Sequence, residues 1–270
     1  MINDMTNLHK GIRYAAIAFA ILLAVGIVGS IVTSLGMVLG FITGDGVTGE
    51  TVTYSAEEEV TSLELEIGGA DLEIKTGETL RVESNLKNLK VETKNGCLTI
   101  EDETNFGIYN GAELTLYLPE GTVFEKVEIS TGAGKLTVEE LSAEKLSLEP
   151  GAGEVIINRL TATESCEIDG GAGAITVKNG SLHDLSMDMG VGQLTMTASL
   201  TGVSDLDMGV GETELTLLGG KESYRVKINK GVGSAEVDGK SASDGETFGN
   251  GENRVTIDGG VGSIEVEFEE

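Results

Sequence analysis

A polar side chain precedes each of seven Gly-x-Gly motifs by two positions. The seven residues are Ser130, Glu149, Asp169, Asp188, Asp207, Asn229 and Asp258. Short acceptors before tight corners accept hydrogen bonds from nearby backbone N–H groups in Asx-type turns. Carboxylates also bind divalent cations such as calcium and attract cationic peptides. The pattern therefore leaves two roles open, a structural turn or a cation-binding ladder whose members would be Asp169, Asp188, Asp207 and Asp258.

The spacing of the motifs indicates an internal repeat. Their first glycines are separated by 19, 20, 19, 19, 22 and 29 residues, and the pentapeptide Asp-Met-Gly-Val-Gly occurs at both 188–192 and 207–211. A period this short is typical of stacked repeats rather than of independent domains, because one copy cannot bury its own apolar face. Residues at equivalent positions are therefore expected to lie above one another, about 4.8 Å apart as in paired strands.

Apolar residues alternate with polar ones on both sides of each motif. They stand three residues before the first glycine and six residues after it in every copy, and four residues after it in nearly every copy. A period of two predicts short strands with one buried face, and glycines between them permit a corner that a Cβ would obstruct. We therefore predict an all-β fold, a parallel β-solenoid with about 20 residues per rung.

The repeat is less regular toward both ends of the chain. The spacings of 22 and 29 residues are interpreted as loop insertions, and "GGADLEI" (68–74), "NGCLTI" (95–100) and "GAELTLYLPEG" (111–121) as divergent early rungs. These limits place the solenoid at residues 60–270. The closing "IEVEFEE" (264–270) would then form an outer edge whose carboxylates discourage further strand addition.

The N-terminal region predicts a membrane anchor. Residues 14–44 are 31 uncharged, mostly apolar residues, longer than the roughly 20 that a spanning helix needs. The run is also too long for a cleaved signal peptide and has no A-x-A-like site near its end. Lys10 and Arg13 precede it and acidic residues follow it, so the positive-inside rule places 1–13 in the cytoplasm as a short stub. Residues 45–59 would form a linker, and 45–270 would lie outside the cell.

An anchor followed by degenerate rungs such as "GAGKLTVEELSAEKLSLEPGAG" (132–153) resembles a known family. It is similar to the bacterial "putative adhesin" domain of unknown function, a membrane-anchored β-solenoid ectodomain common in Gram-positive bacteria. Some members are encoded beside cell-envelope stress systems. The resemblance implies a non-enzymatic role in adhesion or ligand binding at the cell surface, and it supplies no catalytic residues.

The charge of the chain restricts its partners. The net charge is -27, and the first 44 residues contribute +1, so residues 45–270 carry -28. Such a domain repels nucleic acid and anionic lipid headgroups. The expected partners are cationic peptides, cell-envelope components and basic patches on other surface proteins, in addition to the membrane that holds the anchor. No cofactor is predicted, and calcium is the one candidate ion. Acidity can equally serve only to keep an exposed domain soluble.

The sequence contains few residues that could form a catalytic site. His183 has Ser181 and Asp184 near it in sequence, which does not establish the geometry of a triad, so it is predicted to be a surface residue. Cys166 lies in an inward column five residues before a motif and is predicted to be a small core residue. Cys97 is several rungs away, beyond the reach of a disulfide. The chain is therefore predicted not to be an enzyme.

Two alternatives remain at the level of sequence. A polymerising scaffold resembling bactofilins would require a cytoplasmic domain whose end rungs stack on other copies. A polysaccharide-active β-helix enzyme would require a cluster of basic residues to neutralise an acidic sugar, and the Gly-rich repeats contain none.

Overall fold

The computed structural model describes residues 48–55, 59–103 and 111–270, and these are almost entirely β-structure. They form one 15-stranded sheet that winds around a common core, with a 3₁₀ helix at Lys221–Ser223. The strands are β1 (Thr48–Ser55), β2 (Ser62–Ile67), β3 (Asp71–Gly77), β4 (Arg81–Leu86), β5 (Leu89–Lys94), β6 (Cys97–Asp102), β7 (Glu113–Pro119), β8 (Phe124–His183), β9 (Leu185–Thr201), β10 (Val203–Leu218), β11 (Tyr224–Asn229), β12 (Val232–Val237), β13 (Lys240–Ser241), β14 (Glu246–Phe248) and β15 (Asn253–Glu269).

The predicted apolar columns form the core. Every residue three positions before, four after and six after the first glycine of a motif is buried. These residues are Ile129, Leu136, Val138, Leu148, Val155, Ile157, Ile168, Ile175, Val177, Met187, Leu194, Met196, Leu206, Thr213, Leu215, Ile228, Ala235, Val237, Ile257, Ile264 and Val266. Burial of aliphatic side chains contributes about 1.5–3 kcal/mol each, so the columns supply a large part of the driving force for folding.

Neighbouring repeats pair in parallel and in register. Gly173 of β8 lies opposite Gly192 of β9, which lies opposite Gly211 of β10. Residues about 19 apart therefore lie one strand spacing from each other, which confirms the predicted rungs and the solenoid-like stack.

Each central rung has three sides. In the rung that contains Gly151 the buried pairs are Leu146 with Leu148, Val155 with Ile157, and Leu160 with Ala162. Exposed residues separate successive pairs. We call the segment before the Gly-x-Gly corner the first side, the segment after it the second side, and the remaining segment the third side. Side chains between the buried positions point outward, so the first side presents the acidic column to solvent.

The order of the rungs differs from the expected consecutive winding at both ends. β2 and β3 lie between β8 and the later strands β6 and β7. At the other end β15 lies between β10 and the earlier strands β11 and β12. The expectation that residues 264–270 form an outer edge is therefore wrong for residues 264–266, which pair with β10 on one edge and with β12 on the other. Local alternation specifies which face is buried but not which neighbouring strand covers an edge.

Short antiparallel strands cover both ends of the stack. β4 pairs with β7, β5 with β6, β14 with β11 and β13 with β12. β1, which falls inside the predicted linker, pairs antiparallel with β4. The long final spacings correspond to the 3₁₀ helix and to the segment that contains β13 and β14, so the predicted insertions include parts of this cap.

The predicted stub at 1–13 and membrane helix at 14–44 lie outside the described residues, and both stay predictions. Among the residues that the structure describes, there is no helix with the length and hydropathy of a membrane span.

Candidate ligand-binding surface

The acidic column forms a continuous ladder on the first side. Asp169 lies opposite Asp188, Asp188 opposite Asp207, and Asp207 opposite Asp258. Asn229 continues the row beyond Asp258. The inserted position of β15 brings Asp258 next to Asp207, although the motif of Asn229 comes between them in the sequence. The structure therefore brings together all four aspartates that the sequence singled out.

The four aspartates are exposed to solvent, and Asp169 and Asp188 border a shallow open groove. The groove has a volume of about 550 Å³ and is lined by part of the ladder and by the Gly-x-Gly corner beside it. Its lining residues include Glu149, Pro150, Asp169, Gly171 and Asp188. The glycines of the corner have no side chains that project into the groove, so a ligand there can contact both the backbone and the carboxylates.

The carboxylates of the ladder repel one another. The pKa of Asp207 is raised above its usual value, first by partial desolvation and then by the charges of Asp258, Asp188 and Asp205. Each like-charged neighbour about 4.8 Å away raises the energy by about 0.9 kcal/mol in water before salt screening. A cation beside Asp207 would reverse this repulsion.

The turn interpretation has little support at the three central positions. No hydrogen bond from a described backbone N–H to the carboxylate of Asp169, Asp188 or Asp207 is present. Asp258 accepts a hydrogen bond from a side chain instead, from Asn229 Nδ2 at 2.6 Å. Within the described ranges no group of three or more His, Cys, Asp or Glu side chains has the geometry to hold a metal ion. The ladder is thus an open row of charges rather than a preformed cage.

His183 lies at another corner, and its hydroxyl neighbour is Thr201 rather than Ser181. Its Nδ1 is 3.0 Å from Thr201 Oγ1, and its Nε2 is 3.6 Å from Asp184 Oδ2. Asp184 adopts a left-handed conformation with φ 46° and accepts a hydrogen bond from the backbone N–H of Val203. The Asp184 carboxylate therefore stabilises the turn of the backbone. These contacts indicate a structural role for His183 and Asp184.

Both cysteines are free thiols, as predicted. Cys166 is buried in the first-side core, where desolvation raises the pKa of its thiol to about 12. It is therefore neutral and unreactive at physiological pH. Cys97 is half-buried at the other end of the stack.

The fold and the ladder define an all-β, solenoid-like domain with an acidic first side. A model of the Toastrack DUF4097 family matches residues 60–267. The chain therefore belongs to the Toastrack DUF4097 family.

Solved structures that match most of this chain come from several bacteria. A "putative cell adhesion protein" from Clostridium sporogenes is 18% identical with a TM-score of 0.33, and the match covers 82% of this chain and 99% of that one. A "putative adhesin" from Bacteroides fragilis is 10% identical with a TM-score of 0.36, covering 81% and 98%. A "putative lipid binding protein" from Parabacteroides distasonis is 15% identical with a TM-score of 0.40, covering 82% and 98%. A search of the curated proteins finds no significant match.

Proposed function

We propose that this protein is a non-enzymatic, membrane-anchored ectodomain that binds a cationic ligand along the carboxylate ladder. The observation that carries the proposal is the in-register row Asp169, Asp188, Asp207 and Asp258 on an exposed side. Parallel strands repeat this charge at a constant interval, which suits an extended ligand with several cationic groups. Cationic peptides, basic patches of other surface proteins and divalent cations such as calcium are the ligand classes.

The proposal includes the position of the domain relative to the membrane. Residues 14–44 would span the bilayer with the N-terminus in the cytoplasm, and the domain would stand outside the cell in an adhesion or envelope-stress role. The charge bias around this segment in the sequence supports that orientation. A reporter that is active only outside the cytoplasm should be active when it is fused to the C-terminus. Activity of a cytoplasm-specific reporter would contradict the orientation.

Titration calorimetry of the full chain with hexalysine and, separately, with calcium chloride tests the ligand class. The D188N/D207N variant removes two adjacent charges of the ladder and should weaken binding about tenfold, since each charge-assisted contact contributes about 1.5–3 kcal/mol before solvent screening. The matched control is E236Q/E265Q, which removes two in-register carboxylates from the second side.

The control separates local recognition from bulk charge. Binding that is equally reduced in both variants, or that disappears in high salt, would show only a general attraction to the acidic surface. No binding of either probe by the unmodified chain would overturn the proposed ligand class.

A further inference from the structure

The terminal rung at the C-terminal end of the stack carries a small basic patch on the otherwise acidic first side. Arg225 and Lys227 of β11 and Arg254 of β15 are all exposed. Arg225 lies directly opposite Arg254 in the parallel ladder, and Lys227 lies opposite Thr256. Residues two apart on a strand share a face, so the three cations project from one surface. We call these three residues the basic patch. The expectation that the repeats contain no cluster of basic residues is wrong here, because the pairing of β11 with β15 brings together cations that are 29 residues apart in the sequence.

Ion pairing distinguishes the basic patch from most other cations. Lys126, Lys135, Lys145, Arg159 and Lys221 each form an ion pair with a carboxylate. Within the described residues none of the three patch residues forms such a pair. The whole chain has 45 acidic residues against 18 basic ones, so partners for cations are abundant. Some isolated lysines in the part of the chain that the structure describes, such as Lys94 and Lys240, also lack such a pair, so what sets the basic patch apart is that two of its unpaired cations, Arg225 and Arg254, lie directly opposite each other.

The register of the two arginines is unfavourable without a counter-charge. Like charges directly opposite each other on neighbouring strands destabilise a sheet. The pair exists because β15 is inserted beside β11, which places residues 29 apart in the sequence side by side. An anion between the two guanidinium groups would replace this repulsion with two attractive contacts.

The chemistry of the pair matches a phosphate group. Guanidinium groups present planar forks of N–H donors that bind phosphate oxygens in a bidentate manner. Two adjacent arginines carry two positive charges, and a phosphate monoester carries about -1.5 to -2 at neutral pH. Lys227 adds a third donor at the edge of the same surface.

The surroundings of the basic patch favour a compact ligand over a long polyanion. Asp205 lies opposite Thr256, and Asp258 lies four residues beyond Arg254 on the same strand. The opposite neighbour of Arg254 is Val203, whose side chain is 50% exposed and uncharged. Acidic residues therefore border the basic patch along the strands, and an extended polyanion would meet them. We propose that the basic patch binds a single phosphate group, either as inorganic phosphate or as a phosphate monoester.

Calorimetric titration of the full chain at constant ionic strength tests the proposal with inorganic phosphate and with glycerol 3-phosphate. We expect saturable binding of at least one probe, and the probe that binds more tightly identifies the source of the phosphate. The R225Q/R254Q variant should bind about tenfold more weakly or worse, because it removes both guanidinium forks. K94Q/K240Q, which removes two exposed lysines that lie elsewhere, should bind like the unmodified chain.

A second measurement is thermal unfolding without and with phosphate. In phosphate-free buffer of low ionic strength, R225Q alone should raise the melting temperature, because it relieves the repulsion between the arginines. Added phosphate should raise the melting temperature of the unmodified chain but not that of R225Q/R254Q. Absence of saturable binding, or equal loss of binding in R225Q/R254Q and K94Q/K240Q, would overturn the proposal. D188N/D207N should retain phosphate binding, so failure here is distinguishable from failure of the cationic-ligand proposal.

Discussion

Asp207 illustrates how a regular repeat concentrates charge at one residue. It has a carboxylate on each side in the ladder, Asp188 and Asp258, and Asp205 two positions before it on the same strand. Partial desolvation and then the charges of these three carboxylates raise its pKa. A raised folded-state pKa means that ionisation of Asp207 opposes folding. The stability of the fold with Asp207 protonated is therefore fully present below the unfolded pKa of about 3.9. It is lost as the pH rises through the folded pKa and the carboxylate ionises.

Asp207→Asn should stabilise the protein at pH 7 and have little effect at pH 3. Removal of one charge from the row relieves about 1 kcal/mol after screening, which corresponds to a rise of about 2–4 °C in melting temperature. Thermal unfolding at both pH values measures the difference. Glu212→Gln is the control, because Glu212 lies between Gln193 and Ser263 and so has no acidic neighbour in its row. Equal shifts in the two variants would contradict the ladder explanation.

Ser204 departs from the apolar pattern of its column. It is 1% exposed, lies opposite Val255, and its hydroxyl has no hydrogen-bond partner among the described residues. Ser204→Ala should therefore stabilise the protein by about 1 kcal/mol, because it removes a desolvated polar group. Urea unfolding is the measurement. The control is Cys166→Ser, which introduces a hydroxyl at the equivalent position of another rung and should destabilise the protein. If Ser204→Ala were destabilising, the Ser204 hydroxyl would have a favourable role.

The Gly-x-Gly corner is the element that makes the rungs superimpose. Gly192 has φ 154°, and a Cβ there would lie 1.7 Å from the carbonyl oxygen of Gly173 in the adjacent rung. The backbones of successive corners therefore approach closely enough to exclude any side chain. This close approach explains why the second glycine recurs in all seven motifs.

Gly192→Ala should destabilise the protein by about 4 kcal/mol or more, because the backbone of two rungs must separate to admit the methyl group. Gly239→Ala is the control, since Gly239 has φ 68° but no atom within 4 Å of the added Cβ. The control should lose only about 1 kcal/mol from backbone strain. Denaturant unfolding compares the two, and similar losses would indicate that backbone conformation rather than close packing selects glycine.

At the scale of the whole molecule, the stack behaves as repeated units between two caps. Deletion of residues 190–208 joins Met189 to Gly209 and recreates Asp-Met-Gly-Val-Gly at the junction. Each apolar column then loses one member but stays continuous, so the shortened protein should unfold cooperatively at a modestly lower temperature. Circular dichroism and thermal unfolding test this outcome.

A smaller deletion should be more harmful if register is decisive. Removal of residues 190–199 takes away fewer residues but places the second side of one rung against the wrong columns. We expect this variant to lose cooperative unfolding. If the variant that lacks residues 190–199 unfolded cooperatively and the variant that lacks residues 190–208 did not fold, the rung would not be the unit of stability.

Local patterns were sufficient to predict the rungs and the acidic row. Alternation at Ile168, Ile175 and Val177 specifies which side chains are buried, and the repeat length specifies which residues stack. Both depend on strand geometry with a period of two and on the need of each rung to cover its neighbour. Cys166 was predicted to be buried for the same reason.

The amino-acid sequence by itself determined the all-β class, the period, the buried columns and the row of aspartates. Only the tertiary structure decided that each rung has three sides, that β15 inserts beside β11, and that Arg225 meets Arg254. The physical reason is that the alternation of apolar and polar residues specifies only which face of a strand is buried. The order of the strands depends on which pairing of strand edges is most stable in the folded protein. Apolar strands with similar columns fit several edges equally well by pattern, and the choice among them depends on packing of the complete chain.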